Sequence, residues 1–239
     1  MTLPPGEIRL EWKSVDSAAE EVRRLGRECL PLYADLTDSA QIEGVVRHTV
    51  DHFGHLDIMV NNARAIIGKD RVPVTELAED IWRHVLEINT TATFLFTKLA
   101  GQQMVRQGRG GRIINTASNA AKQASAMGSA YSASKFAVLG LTQASALDLA
   151  PYQITVNAVC PGPTNTDRTD YAERARAEAE GISVEVVRAR VVAEAGLRTP
   201  LGRMGEPEDV ANLVAFLVSD EASFITGQAY NVNGGILFH

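Results

Sequence analysis

The chain has 239 residues, 45% hydrophobic and 22% charged, enough to bury one sizeable core in a single domain spanning 1–239. A net charge of −6 and a pI near 5.4 argue against a nucleic-acid partner, since no basic excess is available to neutralise phosphates. The start, MTLPPGEIRLEW, has no basic n-region or apolar h-region, and no stretch approaches the ~20 apolar residues of a membrane helix, so a cytoplasmic protein without a membrane partner is expected.

Residues 7–12, EIRLEW, alternate charged and apolar side chains, the pattern of a strand with one wet face. Ser17 and Glu20 form a capping-box pattern (SAAE) for a helix that runs to Gly26. Leu30 to Ala34 reads as a short strand ending at Asp35, Leu36 and Thr37, and a helix follows from about Ser39 to Phe53. Leu56 to Val60 is a compact apolar strand leading into Asn61, Asn62, Ala63 and Arg64. One long helix is predicted from Glu79 to Gln107, with Asn89 near its middle, and a strand from Arg112 to Ser118. A helix from Tyr131 to Ala150 precedes a buried strand, Ile154 to Cys160, which Pro161-Gly162-Pro163 breaks. A polar, helix-rich insert spans 166–195, Pro207 starts an amphipathic helix within Glu206 to Ser219, and Ala229 to Val232 is the last strand. Cys29 and Cys160 lie in apolar, strand-like surroundings and are expected as buried free thiols.

Short apolar strands alternating with helices indicate an α/β fold: a doubly wound parallel sheet in a three-layer α/β/α arrangement. Ligands of such sheets bind beyond the carboxyl ends of the strands. Asp35, Asn61-Asn62-Ala63, Ser118 and Pro161-Gly162 all fall at such ends. Tyr131 and Lys135 stand four apart, on one helical face about one turn from each other. An ammonium ~4.5 Å from a phenol, at an effective dielectric of ~20, is worth nearly 4 kcal/mol, enough to draw a tyrosine from its usual pKa of about 10 toward 7. With a hydroxyl such as Ser118 beside it, that phenol suits proton transfer to or from a carbonyl or alcohol. The same spacing also suits an ordinary surface pair.

The chain resembles the short-chain dehydrogenase/reductase family. The resemblance rests on ADLTD at 34–38, NNA at 61–63, Asn89, Ser118, YSASK at 131–135, PGPTNT at 161–166 and TGQAYNVNGG at 226–235, in that order, which cover most of a family domain. It implies a Rossmann-like fold and hydride transfer between NAD or NADP and a small-molecule alcohol or ketone. It assigns Tyr131 as general acid or base, Lys135 as the residue that lowers the pKa of Tyr131 and holds the nicotinamide ribose, and Ser118 as the holder of the substrate carbonyl. Asn89 would anchor a water in a proton relay, or be an ordinary buried polar group. Asp35, followed by Leu36, would meet the adenine, or Asp35 would merely cap the next helix. Asn62 and Ala63 would line the cofactor, and Pro161, Gly162, Thr164 and Thr166 would border the nicotinamide. Residues 166–200 would form a substrate lid, and the helices at 79–107 and 131–150 would pack against copies of themselves in a homodimer or homotetramer. The tail resembles that of family members acting on sugars, polyols or small hydroxy compounds.

The chain departs from the family pattern in two places. No glycine-rich turn precedes Asp35, so the domain reads as N-terminally shortened by its first strand and phosphate-binding turn. By resemblance that strand would lie centrally, between 7–12 and 56–60, and its loss would leave backbone groups unpaired. Two expectations follow: a working enzyme read from a late start, or a non-catalytic oligomeric protein that has lost cofactor binding. Arg64, where the family usually carries glycine, is compatible with crowding the cofactor or with binding a phosphate. A hydrolase built on Ser118 is disfavoured, since no nucleophile elbow or neighbouring histidine is present. His48, His52 and His55 read as a solvated helix face rather than a metal site, and AERARAEAE at 172–180 as an exposed helix. Glu11 and Arg9 leave the choice between NAD and NADP open.

Overall fold

The computed structural model describes residues 14–65, 68–166 and 171–239. Its described strands, β1 (Ile58–Asn61), β2 (Gly111–Thr116), β3 (Ile154–Pro161) and β4 (Ala229–Val232), form one parallel sheet in that order. Asn61 stands beside Asn115, Thr116 beside Val159, and Pro161 beside Val232, so the carboxyl ends of the strands open on the same side. The helices are α1 (Val15–Arg24), α2 (Ser39–Phe53), α3 (Glu79–Leu86), α4 (Ala92–Gln107), α5 (Ser129–Leu149), α6 (Tyr171–Glu180), α7 (Val184–Arg198) and α8 (Pro207–Val218).

Side-chain alternation in the central strands divides the core into two faces. Ile113, Ile154 and Val156 pack with Ala100 and Met104 of α4 and Ala146 of α5. Ile114 and Val159 point the other way, onto Leu217, Val210, Leu213 and Val214 of α8. The expected three-layer α/β/α sandwich is present, built on strands that are apolar on both faces. Among the described residues no helix is long and apolar enough to cross a membrane.

Several elements differ from the sequence expectation. The predicted strand at 7–12 lies outside the described residues. Residues 30–34 form no strand, since no described neighbour offers them a ladder. The outer edge of β1 likewise has no described partner, and Ile58 and Val60 are 44% and 42% exposed there. The cap of α1 is Ser14, whose hydroxyl accepts from Ser17 N–H, so Ser17 sits inside the first turn instead of opening the helix. The single long helix of 79–107 is interrupted by a π turn, Glu87–Thr91, that carries Asn89. Gly108 ends α4 in the left-handed region (φ 68°), where a Cβ is disfavoured. The strand read from Arg112 to Ser118 stops at Thr116, and Ser118 caps a short 3₁₀ turn instead. Cys160 is buried and free as expected, whereas Cys29 is free but only half-buried.

Buried polar side chains tie the strand ends to the helices. Asn61 Nδ2 donates to Asn115 Oδ1 (2.8 Å) and Thr97 Oγ1 (3.2 Å), and Asn115 Nδ2 donates to Thr142 Oγ1 (2.9 Å). Asn115 thus bridges β1, β2 and α5, and its truncation strands partners that have no water to turn to. Asn115→Ala is expected to lower the unfolding free energy by about 2–3 kcal/mol in urea titrations; a loss below about 0.5 kcal/mol would show that the network carries no weight.

Candidate active site

The carboxyl end of β2 and the start of α5 form the centre of the site. α5 runs through Tyr131 and Lys135, which share a face because they lie one turn apart. Lys135 is only 2% exposed, and its Nζ donates to the Thr116 carbonyl at 2.7 Å. That bond locks the first turns of α5 to the last residue of β2, two positions before Ser118. Burial, followed by the charge of Arg64, pulls the Lys135 amine down from its usual 10.5 to about 8. Its Nζ stands 5.9 Å from the centroid of the Tyr131 ring.

Ser118 is half-buried and extended, with its Oγ accepting from Ala120 N–H at 3.1 Å, so the hydroxyl proton is free to donate elsewhere. Asn89 is 1% exposed. Its Oδ1 accepts from Ala65 N–H (2.8 Å) and its Nδ2 donates to Ser134 Oγ (2.9 Å), which in turn donates to the Tyr131 carbonyl (2.7 Å). The side chain therefore joins the π turn, the segment after β1 and the Tyr131 turn of α5. Such π turns inside α-helices are frequent at functional sites.

Of the remaining sequence-nominated residues, those after β1 and β3 lie at or past strand ends, whereas Asp35 and Leu36 follow no described strand. Asn62 and Ala63 are exposed just past β1. Asp35 and Leu36 are half-buried ahead of α2, but the cap of α2 is Asp38, not Asp35. The Asp35 carboxylate instead accepts from the Thr37 N–H and hydroxyl, which hold it below the usual carboxylate range. Pro161 ends β3, and Gly162 passes so close to the residue just after β4 that a Cβ there would lie 2.8 Å from Asn233 Cβ. Thr164 donates to the Gly162 carbonyl, and the Thr166 carbonyl accepts from Arg188.

Arg188 also reaches Glu173 Oε1 (2.8 Å) and Asn165 Oδ1 (2.9 Å), pinning α6 and α7 to the turn after β3. Glu173 is 6% exposed, so the charged run at 172–180 is not the uniformly solvated helix its composition implied. His52 and His55 pair with Glu28 and Asp57, respectively.

Sequence reasoning missed Ser134 and Arg71. Ser134 lies within YSASK, and its spacing of three from Tyr131 was the available signal. Arg71 had none, because it reaches Tyr131 from a loop.

A family model described as enoyl-(acyl carrier protein) reductase matches residues 10–237. A short-chain dehydrogenase/reductase of Armillaria gallica is 41% identical over 232 residues, 97% of this chain and 85% of the relative. A sorbitol dehydrogenase of Cereibacter sphaeroides is 33% identical over 222 residues, 93% and 84% of the two chains. The crystal structure of acetoin dehydrogenase from Enterobacter cloacae superposes with a TM-score of 0.77 at 32% identity, covering 92% of this chain and 80% of that one. With the family model spanning nearly the whole length and relatives this similar, the chain belongs to the short-chain dehydrogenase/reductase family of oxidoreductases.

Proposed function

We propose that the protein interconverts a secondary alcohol and a ketone with NAD or NADP, using Tyr131 as the general acid and base. The observation that carries this reading is the buried Lys135 ammonium, fixed to the end of β2 one helical turn from Tyr131. Sorbitol and acetoin, named for two of the relatives, are both compounds with a secondary hydroxyl.

The residues fit a nicotinamide ribose. Lys135 spends one N–H on Thr116 and keeps two for ribose hydroxyls. Asn62 and Ala63, which follow β1, and Pro161, Gly162, Thr164 and Thr166, at and after the end of β3, would line the rest of the cofactor, with Asp35 and Leu36 reading the adenine. The diphosphate half has no glycine-rich counterpart among the described residues. When bound, the nicotinamide supplies or accepts the hydride.

Ser118 offers its hydroxyl proton to the substrate oxygen, holding it for Tyr131. In alcohol oxidation the phenolate takes the hydroxyl proton; in ketone reduction the phenol returns it. Asn89 sets the position of the Tyr131 turn through Ser134, and the π turn around it is where a relay water would be anchored. We further propose a homodimer or homotetramer, since Phe94 of α4 and Phe136 and Leu147 of α5 are exposed.

Tyr131→Phe is expected to cut turnover by about a thousandfold while NADH or NADPH binding, followed by fluorescence titration, and melting temperature stay unchanged. Near-normal activity in that variant would remove Tyr131 from the chemistry. Failure of the parent chain to bind either dinucleotide would favour a non-catalytic role instead.

Lys135 also yields a pH signature. Below about pH 8 its amine is protonated in both folded and unfolded chains, and the folded state bears the burial cost. Between about 8 and 10.5 the unfolded chain binds more protons, so this group makes stability rise with pH, by about 3 kcal/mol in total. Lys135→Met is expected to abolish turnover and to flatten that part of the stability profile; an unaltered slope would show that the amine is not depressed. Light scattering should return a multiple of 25.8 kDa, and a strictly monomeric species would contradict assembly through α4 and α5.

A further inference from the structure

Proton transfer by Tyr131 needs one cation nearby, yet the structure gathers three around it. The Arg71 guanidinium lies 5.1 Å from the ring centroid, that of Arg64 5.6 Å, and the Lys135 ammonium 5.9 Å. Among the described residues the only ion pair either arginine makes is a long one, Arg71 Nε to Asp70 Oδ2 at 3.9 Å. The Arg64 Nε is buried and has no hydrogen-bond partner. The ring offsets part of the repulsion by cation–π attraction, but the buried Nε of Arg64 still lacks an acceptor, and that cost is removed when a ligand brings one. It is the more pointed in a chain whose net charge is −6.

We propose that Arg64 and Arg71 clamp a carboxylate of the substrate, so that the protein acts on hydroxy acids or oxo acids whose acid group lies within a few bonds of the reacting carbon. This rests on the reading of Tyr131 as the acid–base group, since both guanidinia are placed by reference to its ring. Two planar forks suit the two oxygens of a carboxylate. The position of Arg71 favours substrate over the cofactor's diphosphate. Its Nη1 lies 3.3 Å from where a Cβ would stand on Gly128, against the loop that joins Ser118 to Tyr131, and Ser118 is the residue assigned to the substrate oxygen. Arg71 is also 48% exposed, so a ligand can reach it without displacing the core.

The test is a titration of the full chain with malonate, followed by calorimetry and melting temperature, with malonamide as neutral isostere and sodium chloride matched for ionic strength. Saturable stabilisation by malonate alone, weakened about tenfold or more in both Arg71→Met and Arg64→Met, is the expected result. Arg71→Lys, which keeps the charge and loses the fork, should fall between. A malonate effect equal to that of sodium chloride, or one that survives both substitutions, would overturn the clamp. So would arginine-dependent binding of inorganic pyrophosphate with none of malonate, which would assign the pair to the cofactor. The titration needs no turnover. Arginine-dependent malonate binding in a protein whose Tyr131→Phe variant stays active would therefore keep the clamp and reject the acid–base reading.

Discussion

Lys135 carries its charge into a position only 2% exposed, and the Thr116 carbonyl receives it at 2.7 Å. Desolvating an ammonium is expensive, and one hydrogen bond to a neutral carbonyl offsets only part of that cost. The depressed pKa of the amine is the residue of this imbalance. What the molecule gains is position. The bond joins a strand end to the first turns of α5, more than a helical turn from the Asn115–Thr142 tie further along, and it fixes Tyr131 relative to the serine two residues beyond Thr116. The remaining polar contacts of the site serve that placement.

Asn89 and Asn115 do related work at two places on α5. Asn115 links neighbouring strands to α5 through the buried amide and hydroxyl chain that runs from Asn61 to Thr142. Asn89, equally buried, sits on a π turn that places its side chain between Ala65 and Ser134. A regular helix over 79–107 would advance each residue by a fixed angle and carry Asn89 away from one of these partners. The π turn is thus a consequence of satisfying both ends of one buried amide. The Tyr131 turn of α5 is held from the sheet side by Lys135 and from the helix side by Asn89.

The strands of the central sheet were legible because burial on both faces leaves short apolar runs, as in Ile154 to Cys160, and their ends were marked by Asn, Ser and Pro-Gly. Tyr131 and Lys135 were legible because helical spacing alone brings them together. The π turn was not, because the 79–107 segment keeps a helical pattern throughout and the interruption depends on contacts from Ala65 and Ser134. Residues 30–34 had the composition of a strand, but a strand exists only with a neighbour, and propensity carries no information about that. Glu173 looked solvated because its run is charged, yet Arg188, fifteen residues on, draws it inside. Arg71 left no trace in any local pattern, since its partner is a ring sixty positions away in a different element.

The cations around Tyr131 also constrain one another. The Arg64 charge is among the causes that weaken proton binding by Lys135. An anion held between the arginines would relieve that repulsion, so proton binding at Lys135 and anion binding at the clamp would strengthen each other, reciprocally and by the same factor. Charge at the site would then be held jointly: with the anion bound, Lys135 holds its proton more firmly, in a position too deeply buried to be screened by salt. An uncharged substrate would leave the repulsion in place. The same residues that orient a carboxylate would thereby discriminate in its favour before any bond is made or broken, which is how a site can convert substrate charge into catalytic readiness without moving its backbone.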